Sequence, residues 1–121
     1  MSRLTGLRVL LVEDEPIVAM LAEDMLDAVG CVVAASVATV ADAQVAIATL
    51  SFDIAMVDLN LDGDDGLVIA AALNEQGIPC LITTGYDGHG ATRGQAAAIV
   101  LSKPYSLADL ETALGQCVMQ T

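Results

Sequence analysis

The chain has 121 residues, enough for one domain around one core and too few for a second. Its 16 Asp and Glu against four Lys and Arg give a formal charge of −12. This excludes a nucleic-acid phosphate backbone as the expected partner and favours a metal cation or a basic protein face. The composition is 55% apolar but only 2% aromatic, so the core has to be built from Val, Ile, Leu, Ala and Met, which suits layers of helix on sheet.

In chain order, residues 7–12 form a Leu- and Val-rich run that breaks into Glu13-Asp14-Glu15 and then Pro16. The pattern predicts a strand, an acidic loop and a helix with Pro in its first turn, carrying Ile17, Met20, Leu21, Asp24, Met25 and Ala28 at largely helical spacing and ending at Gly30. Residues 31–37 predict a second strand, Thr39 a helix cap and residues 40–50 an Ala-rich helix. Residues 52–59 predict a third strand that ends in Asp58-Leu59. A loop over residues 62–66, a helix over 67–76 closed by Gly77, and a fourth strand over 78–84 follow.

Four glycines between Gly85 and Gly94 (Gly85, Gly88, Gly90, Gly94) each weaken a helix by about 1 kcal/mol relative to Ala, so no firm helix is expected there. Residues 97–101 predict a fifth strand closed by Lys103-Pro104, and Ser106 caps a last helix through Leu107, Leu110, Ala113, Leu114 and Cys117. Strands alternating with helices predict an α/β domain with a parallel sheet and helices on both faces, spanning residues 1–121 without an output domain.

Cys31, Cys80 and Cys117 are odd in number and widely spaced, which predicts small buried hydrophobes rather than a disulfide framework or zinc site. Met20, Met25 and Met56 read as core filler. No basic-then-apolar leader and no membrane-spanning stretch stands out, so a cytoplasmic setting and no membrane partner are expected. His89 lies in the Gly-rich segment without His or Cys at ligand spacing, and no role is expected of it.

In a parallel sheet every strand's carboxyl end lies on one edge, so Glu13, Asp14, Asp58, Thr84 and Lys103 are expected to share one cleft. Three clustered carboxylates repel one another unless a hard cation sits among them, which points to Mg²⁺. With Asp58 as nucleophile, Lys103 and the metal would neutralise an incoming phosphoryl group and Thr84 would donate a hydrogen bond. The expected product is an aspartyl phosphate.

Glu13-Asp14, Asp58, Gly66 eight residues later, Thr84 and Lys103-Pro104 together resemble the receiver domain of bacterial two-component response regulators over essentially the whole chain. The resemblance implies a flavodoxin-like (βα)5 three-layer sandwich with strand order 2-1-3-4-5. It implies phosphorylation of Asp58 by a sensor histidine kinase, Mg²⁺ held by Glu13, Asp14, Asp58 and the Asn60 backbone carbonyl, and phosphoryl oxygens bound by Thr84 and Lys103. The output would be relayed by protein contact, with the phosphoryl transfer at Asp58 the chain's only catalysis. Thr83-Thr84-Gly85-Tyr86-Asp87 further resembles a Thr-Gly-Tyr subgroup of alphaproteobacterial receivers that often pair with HWE-type kinases, although Ile82 and Thr83 replace its usual aromatic and Ala.

Two departures from the family pattern stand out. Val100 takes the position three before the Lys where an aromatic switch residue is usual, leaving Tyr86 and Tyr105 as the nearby rings. The loop after Asp58 lacks the usual Pro and instead matches the opening of an EF-hand, Asp58-x-Asn60-x-Asp62-Gly63-Asp64. That match fails at its twelfth position, Ile69, and follows a strand instead of a helix, so a calcium sensor is not the expected reading. The alternative is a pseudo-receiver, an interaction module without phosphate chemistry. A conventional enzyme finds no phosphate loop or catalytic triad to support it.

Overall fold

The computed structural model describes residues 4–61, 64–85 and 99–119. Strands β1 (Arg8–Val12), β2 (Val32–Val37), β3 (Ile54–Asp58), β6 (Cys80–Thr84) and β7 (Ile99–Ser102) form one parallel sheet in the order β2-β1-β3-β6-β7. Counting only these five strands, the order is 2-1-3-4-5, the flavodoxin-like arrangement expected above. All five residues of β3 and of β6 are buried, which explains why they read as continuous apolar runs and not as alternating patterns.

Helices α1 (Pro16–Ala28) and α4 (Leu107–Met119) cover one face of the sheet, and α2 (Val40–Thr49) and α3 (Leu67–Glu75) cover the other. On the first face Ala19, Ala22 and Leu26 meet Leu110, Ala113 and Leu114 over Val9, Leu11, Met56 and Leu81. On the second, Ala43, Ile47, Ile69 and Leu73 pack over Leu10, Ala55, Val57 and Ile82.

Local chemistry sets the helix ends. The Thr39 hydroxyl accepts from the Asp42 amide at 3.0 Å, capping α2. Ser106 and Asp109 cap α4 reciprocally: the Ser106 hydroxyl accepts from the Asp109 amide at 3.0 Å and the Asp109 carboxylate accepts from the Ser106 amide at 3.1 Å. Both α1 and α3 stop at a left-handed glycine, Gly30 at φ +93° and Gly77 at φ +72°. The amides that follow, Cys31 and Ile78, reach back to the Leu26 and Leu73 carbonyls at 3.0 Å.

Three expectations need revision or fall outside the description. Met20 is not core: it is 57% exposed, with Ile17 at 69% and Leu21 at 57% beside it. Helix α1 carries apolar residues on more than one face and turns Ala19, Ala22 and Leu26 inward; periodicity alone could not choose between the faces. Met56 is buried and Met25 packs against the core, as expected. The loop after β3 is partly ordered, as β4 (Asn60–Leu61) pairs antiparallel with β5 (Asp64–Asp65), and the strand before it rules out the helix-loop-helix frame of an EF-hand. Asp62, Gly63, Tyr86, His89 and the remaining Gly-rich segment, with the start of the predicted fifth strand, lie outside the described residues.

Gly66 is required for space. Its φ of −60° suits any residue, but a Cβ there would collide with the Asp58 carbonyl oxygen and lie 3.1 Å from Leu59 Cα. Gly66 is also the N-cap of α3, a position where Gly is preferred to Ala. The steric conflict with backbone adds to that preference, with Gly66→Ala losing about 1–3 kcal/mol in urea unfolding; an unchanged or raised midpoint would refute it. Burial pushes the Cys31 thiol up to about 11 and the Cys80 and Cys117 thiols up to about 12. All three should resist a disulfide reagent at neutral pH in the native state and react together once the chain is denatured. Rapid native-state modification would contradict the described packing.

Candidate functional site

The parallel register brings four strand ends to one edge. Glu13 and Asp14 follow β1, Asp58 closes β3, Thr84 closes β6 and Lys103 follows β7. Backbone bonds fix these ends across strands: the Glu13 amide donates to the Val37 carbonyl at 3.0 Å, Leu59 to Thr83 at 2.9 Å and Lys103 to Thr84 at 2.7 Å. The Gly66 amide donates to the Leu59 carbonyl at 2.8 Å, so the close approach that excludes a Cβ also ties α3 to the end of β3.

Within this frame the Lys103 Nζ lies 2.9 Å from Glu13 Oε1 and 3.4 Å from Asp58 Oδ2. Both carboxylates are nearly excluded from solvent, Glu13 at 5% and Asp58 at 6% exposure. The second Glu13 oxygen accepts from the Glu15 amide at 3.2 Å, at the entry to α1. Burial on its own pulls the Lys103 ammonium down. The hydrogen bond it donates to Glu13 and the charges of Asp58 and Glu13 outweigh it and hold the ammonium above the ordinary lysine value.

One carboxylate oxygen from each of Glu13, Asp14 and Asp58 lies within 4.8 Å of the other two. A set of hard oxygen donors at that separation fits a divalent cation such as Mg²⁺. Thr84 is buried at the neighbouring strand end, and its hydroxyl donates to the Gly85 carbonyl at 3.0 Å. Asn60 stands in β4 directly after this cluster in sequence. Val100 lies on β7 opposite Ile82 and is 41% exposed, an aliphatic side chain at the sheet's edge.

One feature escaped sequence reasoning. Glu13 was expected only as a metal ligand, yet it is also the nearest counter-ion of Lys103; a chain with one lysine, directly after an apolar strand, was the signal that a carboxylate accompanies it. Tyr105 is half-buried and packs against the core shared by α1 and α4. Burial pushes its phenol up; the Lys103 charge opposes this, and the Glu13 and Asp58 charges add to the rise, so the ring lies within the field of the cluster. At the opposite edge of the sheet a cleft of about 370 Å³ is lined by Leu7, Phe52, Ile54, Ile78, Pro79 and Val118. Its carboxylate, Asp53, already accepts from the Arg8 amide at 2.8 Å.

Known proteins share both the fold and the sequence pattern. The family model of the response regulator receiver domain matches residues 9–115. The sensor protein TorS of Escherichia coli is 36% identical over 91 residues, covering 72% of this chain and 9% of TorS. The transcriptional regulatory protein TcrA of Mycobacterium tuberculosis is 33% identical over 120 residues, covering 90% of this chain and 45% of TcrA. The chain thus spans less than half the length of either curated relative.

Among solved structures, SdrG from Sphingomonas melonis Fr1 superposes with a TM-score of 0.82 at 33% identity, covering 98% of this chain and 99% of SdrG. The receiver domain of the PhyR response regulator from Erythrobacter litoralis gives a TM-score of 0.83 at 26% identity, covering 95% and 92%. With the strand order, the match over residues 9–115 and the SdrG likeness in agreement, the chain belongs to the response regulator receiver domain family of two-component signalling.

Proposed function

We propose that this receiver takes a phosphoryl group on Asp58 from a sensor histidine kinase, in a Mg²⁺-dependent reaction, and passes the signal on by protein contact. The observation that carries the reading is the ammonium of Lys103 set between the buried carboxylates of Glu13 and Asp58, with Asp14 completing a three-oxygen cluster. The partial match to a sensor protein supports a phosphodonor of that class. The Thr-Gly-Tyr stretch favours an HWE-type kinase. Among the described residues no helix is long and apolar enough to cross a membrane, and the proposed setting is cytoplasmic.

In this mechanism an Asp58 carboxylate oxygen attacks the phosphorus of a phosphohistidine. The new O–P bond forms as the P–N bond breaks, and the departing imidazole takes up a proton. Lys103 exchanges part of its contact with Glu13 for a phosphoryl oxygen, and the Thr84 hydroxyl turns from the Gly85 carbonyl to donate to another. Glu13, Asp14, Asp58 and the Asn60 backbone carbonyl would hold Mg²⁺, which when bound neutralises charge on the transferring group. The exposed Ile17, Met20 and Leu21, on the helix that starts directly after this acidic loop, offer the donor protein an apolar footing.

Incubation with Mg²⁺ and acetyl phosphate, followed by intact-mass measurement, should show a single phosphoryl adduct on the wild type and none on Asp58→Asn. An adduct-free wild type would favour the pseudo-receiver alternative, and an adduct persisting in the variant would move the acceptor elsewhere. The Lys103 ion pairs make a second prediction. Because the folded ammonium lies above its ordinary value of 10.5, its contribution to stability is complete below that value and is lost as pH rises through the folded value. In metal-free buffer the difference in urea midpoint between wild type and Lys103→Met should stay flat from neutral pH to 10.5 and then shrink. A difference that fades already near neutrality would show that the pairs do not hold the charge.

A further inference from the structure

Once Asp58 carries a phosphoryl group, the change has to leave the site by some packed route, and two routes begin at the strand ends. The first, from Thr84 toward β7, meets Val100, which is aliphatic and 41% exposed and so offers little buried contact to repack. The second begins at Lys103. Its ammonium is shared between Glu13 at 2.9 Å and Asp58 at 3.4 Å, and added negative charge on Asp58 draws it away from Glu13.

Two residues further on, Tyr105 packs against the cluster that α1 and α4 share, and Ser106 immediately after it caps α4 through its reciprocal bonds with Asp109. Only three residues therefore separate the site's cation from the first turn of α4, where Leu107 is 43% exposed. Of the aromatic rings among the described residues, Phe52 lies at the opposite edge of the sheet, beside the far cleft, and Tyr105 follows Lys103 by two residues and packs against the core of α1 and α4.

We infer that Tyr105 is the residue that transmits the state of Asp58 to the amino-terminal turn of α4, by repacking its ring against the α1/α4 core when Lys103 shifts. This rests on Asp58 being the phosphoacceptor. The transmission is steric: a close-packed core responds to a displaced ring by changing arrangement, not by continuous deformation. The exposed turn at Leu107 is then the surface whose presentation differs between the two states.

The test uses the 121-residue chain labelled with 3-fluorotyrosine, the two tyrosine resonances being assigned with Tyr86→Phe, and treated with Mg²⁺ and acetyl phosphate. Intact mass on the same sample reports the adduct, and amide hydrogen exchange reports α4. On phosphorylation the Tyr105 fluorine resonance should move and the exchange of the first α4 turn should change. Tyr105→Phe should keep that exchange difference, and Tyr105→Leu should lose it while acquiring the adduct at the wild-type rate. If the wild type gains the adduct and neither the Tyr105 resonance nor α4 responds, the relay is overturned while Asp58 stands. A Tyr105→Leu protein that keeps the α4 response also overturns it. Absence of any adduct removes the phosphoacceptor reading and the relay with it. Should Tyr105→Leu fold poorly, the wild-type resonance decides the question.

Discussion

The arrangement depends on one cation placed among anions. Lys103 is the chain's only lysine, and its ammonium links a residue after β1 to the last residue of β3 from a position after β7. Three strand ends are tied together by charge at the point where the sheet alone would leave carboxylates facing one another. Removing either side of such a buried pair leaves an uncompensated charge, which is costly. An apolar replacement of the whole set could stabilise the fold, so stability gives no reason for the set to exist. The proposed function would supply that reason, since a metal and a phosphoryl group bring further charge to the carboxyl edge of the sheet.

The rest of the fold can be read as the frame for that cluster. Buried central strands set the spacing between Glu13, Asp58 and Thr84, and cross-strand amide bonds at Glu13, Leu59 and Lys103 hold their final residues in line. Gly66 brings the start of α3 against the Asp58 carbonyl, closing the loop side of the site. On the other face, α1 and α4 share one core, and Tyr105 joins the site's edge to it. The receiver fold thus couples a polar edge to an apolar face through few residues.

Much of this was legible in the sequence because the controlling signals are local and strong. The strands announced themselves as short β-branched runs, the helix ends as Thr39, Ser106, Gly30 and Gly77, and the site as polar residues placed at strand ends. What could not be read was orientation. Helix α1 has apolar residues on more than one face, and the face turned inward carries Ala19, Ala22 and Leu26, leaving Met20 outside. The nearness of Glu13 to Lys103 was equally hidden, since Glu13 was expected only as a metal ligand and sequence gives no distances between strand ends. The pairing of Asn60–Leu61 with Asp64–Asp65 was masked by a polar, Gly-containing stretch that reads as plain loop.

Because there is a single lysine, its side-chain ammonium gives one resonance in a nitrogen-selective NMR spectrum, and that signal tests the central claim directly. In metal-free protein it should be sharp and slow to exchange with water, and Glu13→Gln should weaken that protection. Adding Mg²⁺ and acetyl phosphate should shift it while preserving its protection, as Lys103 moves from Glu13 to the phosphoryl group. A signal that exchanges like that of a free lysine and is unmoved by phosphorylation would contradict the account.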